Sequence, residues 1–278
     1  MLLSFNLLLH ADCLNEADVS HSITRAEVGR MDVYMYYCQD SWNVRFEWGP
    51  EGIEALGPTS DVIVIVDVFS FTTSVEVAVS RGAGVFPFYH GLPYESAESF
   101  AQEKNALVAT RTRFAPEGFS LSPASLLHIK SGERVVLPSR NGSTLTLQAA
   151  SHAHTVAGCL RNAQAVARHA RLYGRTVAVI ACGERWTTGN SLRPALEDLV
   201  GAGSILSQLG GSPSPEAEIA IAAYESASER LPDILRDCGS GIELEQRGFA
   251  EDVALASELN VSSCVPVLKD GLYCGSSP

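Results

Sequence analysis

The sequence predicts an α/β protein with three layers, in which helices cover both faces of a mostly parallel sheet that can include antiparallel strands. The main observation is that apolar, β-branched runs alternate with segments of helical periodicity from Asp61 onward. The run Asp61–Phe69 is apolar at nearly every position, which suits a strand covered on both faces. With 278 residues, 46% of them hydrophobic and 19% charged, the chain is long and apolar enough to bury such a core.

This periodicity predicts individual elements. The predicted strands are Asp61–Phe69, Val85–Tyr89, Ala106–Thr110, Arg134–Pro138, Thr155–Cys159, Thr176–Cys182 and Cys264–Leu268. The predicted helices are Ser143–Ala153, Ala163–Leu172, Leu192–Leu209, Pro215–Ser228 and Glu251–Leu259. Asn162 stands where the second of these helices needs an N-cap. Gly210–Pro215 predicts a linker-like break. The glycines at 201 and 203 follow a helical pattern rather than a strand, so they predict close helix packing and not a dinucleotide-binding loop.

The N-terminal segment differs from the rest of the chain. Residues 1–30 are poorly patterned and are interpreted as an extension before an α/β domain of residues 31–278, which can divide into two subdomains. Met1–His10 is apolar, but no Lys or Arg precedes Arg25, so no secretory signal peptide is predicted. The seven cysteines are odd in number and none has Cys-x-x-Cys spacing. We therefore expect a cytoplasmic location.

The charge balance excludes two classes of partner. The chain has 20 basic and 32 acidic residues, which gives a net charge of −12. A sequence-independent nucleic-acid binder needs a cationic face for phosphates, and docking on an anionic membrane needs one too. We therefore expect neither nucleic acid nor a membrane as a partner. The sequence leaves the oligomeric state open, and a homodimer is compatible with it.

Functional residues are expected just after the strands, because ligands of open α/β sheets bind at the carboxyl ends of the strands. Asp67 lies near the end of the first predicted strand, where a carboxylate is costly to bury unless a metal, a partner or hydrogen bonds receive it. The hydroxyls of Thr72 and Thr73 can cap the next helix and leave its first N–H groups to an anion. The alternative is that Asp67 only caps that turn.

A second candidate segment, SRNGS at 139–143, follows the predicted strand Arg134–Pro138 directly. Its Asn-Gly pair is a turn signal, and glycine lets a ligand approach the backbone. An arginine there offers a planar fork for phosphate, carboxylate or sulfonate oxygens. A solvated turn with a surface arginine is the alternative. The candidate anion-binding residues of this segment are Ser139, Arg140, Asn141, Gly142 and Ser143.

A third segment combines charged residues. Glu184 and Arg185 follow the predicted strand Thr176–Cys182, and Glu197 and Asp198 follow after a short loop. With Asp67, the last two acids form a candidate hard-oxygen site for Mg²⁺, which needs only one or two protein carboxylates. The alternative is an exposed acidic pair in the first turn of a helix, stabilised by the helix dipole.

Taken in order, these segments resemble the 2-phosphosulfolactate phosphatase family. Its Asp-Val-hydrophobic-Arg-Ala-Thr-Thr motif is similar to residues 67–73, its Gly-Phe…Ser-Pro motif to residues 118–123, and its Thr-Thr-Asn-Gly-Thr loop to residues 139–143. A Cys/Ala-Gly loop and a Glu-Asp…Ala-Gly helix are similar to residues 182–183 and 197–203. The resemblance extends roughly from Asp61 to Leu272 and includes the closing Val-Pro-Val at 265–267.

The resemblance implies a three-layer α/β/α fold and an Mg²⁺-dependent phosphatase. Its reaction would convert 2-phosphosulfolactate and water to sulfolactate and phosphate. In this interpretation Asp67 and Glu197 are catalytic, and Asp67, Glu197 and Asp198 hold the metal. Asp67 would alternatively activate water or attack phosphorus. The substrate-binding residues would be Thr72, Thr73, Ser139, Arg140, Asn141, Gly142, Ser143, Glu184 and Arg185.

The sequence also departs from the family pattern. Ser70 stands where the family has Arg, Thr110-Arg111 replaces the usual Glu-Arg, and Arg140 replaces a Thr. One basic group is thus lost near Asp67 and another is gained, which suggests an anion site that is kept but reshaped. Two alternatives follow: a non-catalytic module that binds phosphorylated or sulfonated metabolites, and a phosphatase for another phosphorylated hydroxy acid.

Overall fold

A nine-stranded sheet forms the middle layer of the protein. The computed structural model describes residues 36–276 apart from 90, 111 and 116, so the predicted extension 1–30 lies outside the described residues. The strands of this sheet are β1 (Val44–Trp48), β2 (Val62–Val66), β3 (Gly84–Tyr89), β4 (Leu107–Val108), β5 (Arg134–Ser139), β6 (His154–Gly158), β7 (Val177–Ala181), β10 (Pro266–Lys269) and β11 (Leu272–Gly275). A separate two-stranded hairpin consists of β8 (Glu184–Arg185) and β9 (Leu192–Arg193).

The sheet contains two parallel halves. Its strand order is β1-β7-β2-β6-β10-β11-β3-β5-β4. Strands β1, β7, β2 and β6 are parallel to one another, as are β3, β5 and β4. The antiparallel hairpin β10–β11 joins the halves, and each junction contains one paired position, Val267 with Val156 and Tyr273 with Val85. The prediction of a mostly parallel, mixed sheet is therefore confirmed.

Helices cover both faces of this sheet. They are α1 (Gly49–Leu56), α2 (Phe71–Ser80), α3 (Tyr94–Lys104), α4 (Gly142–Ala149), α5 (Ala163–Tyr173), α6 (Leu196–Leu209), α7 (Pro215–Ala227), α8 (Leu231–Asp237), α9 (Gly239–Gln246) and α10 (Ala250–Ala256). On one face, Val64 of β2 packs with Val166 of α5 and Ile205 of α6 in a single core. Alternate side chains of a strand point to opposite faces, and α1 and α4 pack on the other face against β7 and β2. The predicted three-layer α/β/α architecture is confirmed.

The first strand was not predicted, because polar residues interrupt its apolar pattern. Arg45 of β1 is only 1% exposed, and its guanidinium donates to the Cys38 carbonyl, to Thr59 and to Ser60. These bonds satisfy a charge that would otherwise be costly to bury. The strand is thus fixed by hydrogen bonds that hydropathy patterns do not register.

Two local predictions were only partly correct. Gly210–Pro215 is not a linker: its Ser212 carbonyl accepts the amides of Asn43 and Val44, and α6 and α7 on either side pack directly on each other. Gly203 permits that packing, since a Cβ there would collide with the Ala220 carbonyl, which confirms the predicted close helix contact. Asn162 is the N-cap residue of α5 as predicted, but its side chain accepts no bond from that helix; its Oδ1 accepts the backbone N–H of Cys159 and closes the preceding turn.

The twist of the sheet determines where the functional loops meet. Adjacent strands rotate by about 20–25°, so the five steps from β2 to β5 amount to roughly 100–125°. Strands β2 and β5 therefore cross at a large angle, although the hairpin between them reverses their formal direction. The crossing brings the loops after β2 and β5 to one cavity. Within the described part of the chain, no helix is long and apolar enough to cross a membrane.

Candidate active site

A cavity of about 330 Å³ lies where the loops after β2, β5 and β7 converge. It contains acidic and basic side chains together, and six of its residues were predicted from the sequence as site residues. Its lining residues are Asp67, Ser70, Leu121, Ser139, Arg140, Asn141, Glu184, Arg185 and Arg247. The six residues that were predicted from their positions after strands therefore line one cavity.

Asp67 is held in this cavity by the turn that connects β2 to α2. Its carboxylate accepts the backbone N–H of Phe71, and its own backbone exchanges two hydrogen bonds with the Thr72 hydroxyl, each 2.9 Å long. The Thr73 hydroxyl donates to the Val68 carbonyl at 2.6 Å. Both threonines are fully buried and neither lines the cavity. Their hydroxyls therefore fix the Asp67 turn, and their predicted role in binding phosphate stays a prediction.

Burial and neighbouring carboxylates raise the pKa of Asp67 above that of an ordinary aspartate. Burial, together with the charges of Glu184 and Glu197, raises the pKa of Asp67 to about 7 against the lowering effects of the Phe71 N–H and of Arg113. Burial and Glu197 also raise the pKa of Glu184. Several carboxylates thus share one poorly solvated region, which favours a bound cation.

Glu184 connects two of the three loops. It is the first residue of β8, and its Oε2 accepts the side-chain N–H of Asn141 at 3.3 Å. Since Asn141 follows β5 and Glu184 follows β7, this bond joins the two parallel halves of the sheet across the cavity.

Asp198 and Glu197 lie behind the cavity. The Asp198 carboxylate accepts the Val68 N–H on one oxygen and the Gly183 N–H on the other, both at 2.8 Å. It therefore ties the loop after β2 to the loop after β7. Glu197 is 2% exposed and accepts a bond from the Cys238 thiol at 3.7 Å. Neither is among the cavity-lining residues, and their predicted metal-binding role stays a prediction.

Only the first part of the loop after β5 lines the cavity. Ser139, Arg140 and Asn141 line the cavity, whereas Gly142 and Ser143 are buried behind them. The Ser143 hydroxyl donates to the Leu137 carbonyl at 2.8 Å, and a Cβ on Gly142 would collide with the ring of Phe71. Gly142 is therefore needed where the first turn of α4 meets the start of α2.

The β8–β9 hairpin forms another wall of the cavity. Its Arg185 lines the cavity and donates to the Asn190 carbonyl at 3.3 Å. Arg193 of β9 packs over the ring of Trp186 and donates to Ser240 of α9 at 3.0 Å. The hairpin thus rests on the C-terminal helices, which the sequence did not connect with the site.

Sequence reasoning missed Arg113, Asp252 and Arg247. Arg113 donates to the Phe69 carbonyl and to Asp252, each at 2.9 Å, and Asp252 also accepts the Ser122 hydroxyl at 2.6 Å. The signal for this network was indirect: Ser122 lies in the segment 118–123 that resembles the family motif, and Asp252 lies within the stretch over which the resemblance extends. Arg247 had no signal, because it immediately follows a helix that was not predicted.

Together, fold and cavity define a class of protein: an α/β protein with carboxylates and arginines at its strand ends, suited to a small phosphorylated ligand. The family model of 2-phosphosulpholactate phosphatase matches residues 50–271. The chain therefore belongs to the 2-phosphosulfolactate phosphatase family.

Individual relatives agree with this placement. A probable 2-phosphosulfolactate phosphatase of Gloeobacter violaceus is 30% identical over 78% of this chain and 89% of its own length. The 2-phosphosulfolactate phosphatase of Methanothermobacter thermautotrophicus is 28% identical over 76% of this chain and 88% of its own. A probable 2-phosphosulfolactate phosphatase of Deinococcus radiodurans is 30% identical over 76% of this chain and 89% of its own.

Proposed function

We propose that this protein is a phosphatase that hydrolyses 2-phosphosulfolactate, or a closely similar phosphorylated three-carbon acid, to the hydroxy acid and phosphate. The observation that carries the proposal is the cavity itself, where buried Asp67 faces Arg140 and Arg185. Family membership supplies the substrate class. In the reaction, the oxygen of water forms a bond to phosphorus while the ester P–O bond breaks, and the released alkoxide takes up a proton.

Binding of the substrate anions is assigned to groups at the cavity wall. Arg140 and the Asn141 side chain lie on the loop after β5 and would hold phosphate oxygens, since guanidinium forks and amide N–H groups suit them. Arg185 would hold the second anionic group of the substrate. Ser139 also lines the cavity, and its hydroxyl accepts the Gly142 N–H at 3.2 Å.

A divalent cation fits the donor chemistry of the site. Asp67 and Glu184 bring carboxylate oxygens to one cavity, and the raised pKa of Asp67 reflects negative charge that a cation would balance. No group of three or more His, Cys, Asp or Glu residues among those described is arranged to hold a metal. Mg²⁺, however, is typically held by one or two carboxylates and several waters. When bound there, it would neutralise the charge of the phosphate oxygens.

Asp67 would hold that cation together with Glu184, and Glu197 would add negative charge from behind. Asp198 keeps the loops of Asp67 and Gly183 in register, because each of its oxygens accepts one of their backbone N–H groups. The alternative role for Asp67 is to take the proton of the attacking water.

The test is phosphate release by Asp67→Asn. We expect its kcat for 2-phosphosulfolactate with Mg²⁺ to fall by about 10²-fold or more, because a neutral amide neither holds the cation nor accepts a proton. Asp270→Asn, at an exposed turn with φ of 50°, is the matched control and should behave as wild type. Near-wild-type activity of a folded Asp67→Asn protein would sink the assignment.

Ser70 favours a second candidate, a phosphatase for another phosphorylated hydroxy acid, because the serine that lines the cavity stands where the family has Arg. Phosphate release from a panel of phosphorylated three-carbon acids, with Mg²⁺ and with EDTA, distinguishes the two. Ligand-induced thermal stabilisation without phosphate release would indicate a binding module instead.

A further inference from the structure

The cavity includes a third arginine that comes from the C-terminal helices. Arg247 immediately follows α9 and lines the cavity with Arg140 and Arg185. The three arginines belong to three separate segments of a chain whose net charge is −12. Such a convergence of positive charge in an acidic protein indicates that the cavity binds more than one anionic group.

The backbone of Arg247 is well fixed. Its N–H donates to the Glu243 and Leu244 carbonyls, and Gly248 with φ of +85° then turns the chain away. Leu244, one turn earlier, is 6% exposed and packs in the main core. The side chain therefore starts from a rigid position, although 57% of its surface is exposed.

The partners of the three arginines differ. Arg247 pairs with Glu243 at 2.9 Å across one helical turn, and Glu243 is itself 63% exposed. Arg140 and Arg185 form no ion pair with any described carboxylate. An exposed pair such as Arg247–Glu243 is weak, so an anionic ligand group can replace Glu243 as the partner of Arg247.

From these observations we propose that Arg247 determines specificity, binding the substrate group that lies farthest from phosphorus together with Arg185. The group it suits is a sulfonate, whose three oxygens accept hydrogen bonds from two guanidinium groups at once. Glu243 competes with that group for Arg247. This inference rests on the proposed function and adds to it the residue that distinguishes a sulfonated substrate.

The experiment compares two substrates that differ only in this group. 2-Phosphosulfolactate has a sulfomethyl group, whereas 2-phospholactate has the same phosphate ester and carboxylate with a methyl group in place of the sulfomethyl group. For Arg247→Met we expect the KM for 2-phosphosulfolactate to rise roughly tenfold with kcat little changed, while the KM for 2-phospholactate changes less than about twofold. Arg247→Lys should recover part of the loss, and Glu243→Gln should lower the KM for the sulfonated substrate.

Arg236→Met is the matched control, since Arg236 has a similarly exposed pair with Asp233 on α8 and does not line the cavity. It should leave both KM values unchanged. Equal changes for both substrates, or none, in Arg247→Met would overturn the inference. If the wild-type protein hydrolyses neither compound, the proposed function fails. Calorimetry with sulfolactate and lactate then tests Arg247 alone, because only sulfolactate binding should weaken in Arg247→Met.

Discussion

At the scale of single residues, sequence position indicates which side chains reach the site but not what they bond to. Asp67, Arg140 and Glu184 were predicted from their places after strands, and all three line one cavity. Thr72 and Asp198 were also predicted, yet their polar atoms bond to backbone groups of the loops. Hydrogen-bond partners depend on the path of the backbone in three dimensions, which residue order does not contain.

Gly142 shows how one residue connects the loop after β5 with the loop after β2. We expect Gly142→Ala to lower the free energy of unfolding by about 1–3 kcal/mol, because its Cβ would collide with the ring of buried Phe71. Urea denaturation measures the change. Gly239→Ala is the control, since a Cβ there meets nothing within 4 Å. Equal stability of both variants would contradict the proposed packing.

At the scale of elements, long buried strands were predictable and short or polar elements were not. Strands β2 and β7 are fully buried, so their apolar runs stand out in the sequence. The two-residue strands β8 and β9 are too short to show any period. Helices α8 and α9, with seven and eight residues, were also missed, although α10 has seven residues and was predicted at 251–259. The wall of the cavity that contains Arg247 was therefore not predictable.

The contact between β6 and α5 makes stability depend on pH. His154 of β6 stacks on Tyr173 with ring centroids 3.4 Å apart, and its Nε2 lies 2.9 Å from Nε2 of His169. Burial, His169 and Lys269 lower the pKa of His154 to about 4, and burial and Lys269 lower that of His169. In the unfolded chain both titrate near pH 6.5. The folded state thus favours the neutral rings.

We therefore expect the contribution of this histidine pair to stability to be fully present above about pH 6.5 and to be lost as the pH decreases toward about 4, because protons then bind preferentially to the unfolded chain. Thermal denaturation at several pH values measures this slope. His154→Phe keeps a ring for stacking on Tyr173 and removes the titrating group, so its melting temperature should fall less between pH 7 and pH 5 than that of the wild type. Parallel slopes for the two proteins would argue against this assignment.

At the scale of the whole molecule, the three-layer architecture could be predicted from composition and from the alternation of strands and helices. The way in which the two parallel halves of the sheet are joined could not be predicted. The hairpin β10–β11 inserts late residues between β6 and β3, and only the predicted strand at 264–268 indicated one of its members. The crossing of β2 and β5 depends on twist accumulated over several strands, which no local pattern expresses. Consequently the site residues could be predicted one by one, whereas their common cavity could not.

The net charge of −12 should repel an anionic substrate at a distance, while the three arginines attract it only within the cavity. The Debye length is about 30 Å at 0.01 M ionic strength and about 10 Å at 0.1 M, so added salt screens the long-range repulsion before it weakens the short-range contacts. We expect kcat/KM for the phosphorylated substrate to stay level or rise between these ionic strengths at constant Mg²⁺. Electrostatically steered enzymes lose rate steeply over the same range. Initial rates in a sodium chloride series, repeated with Arg247→Met, provide the measurement; a tenfold fall for the wild type would mean that long-range attraction dominates.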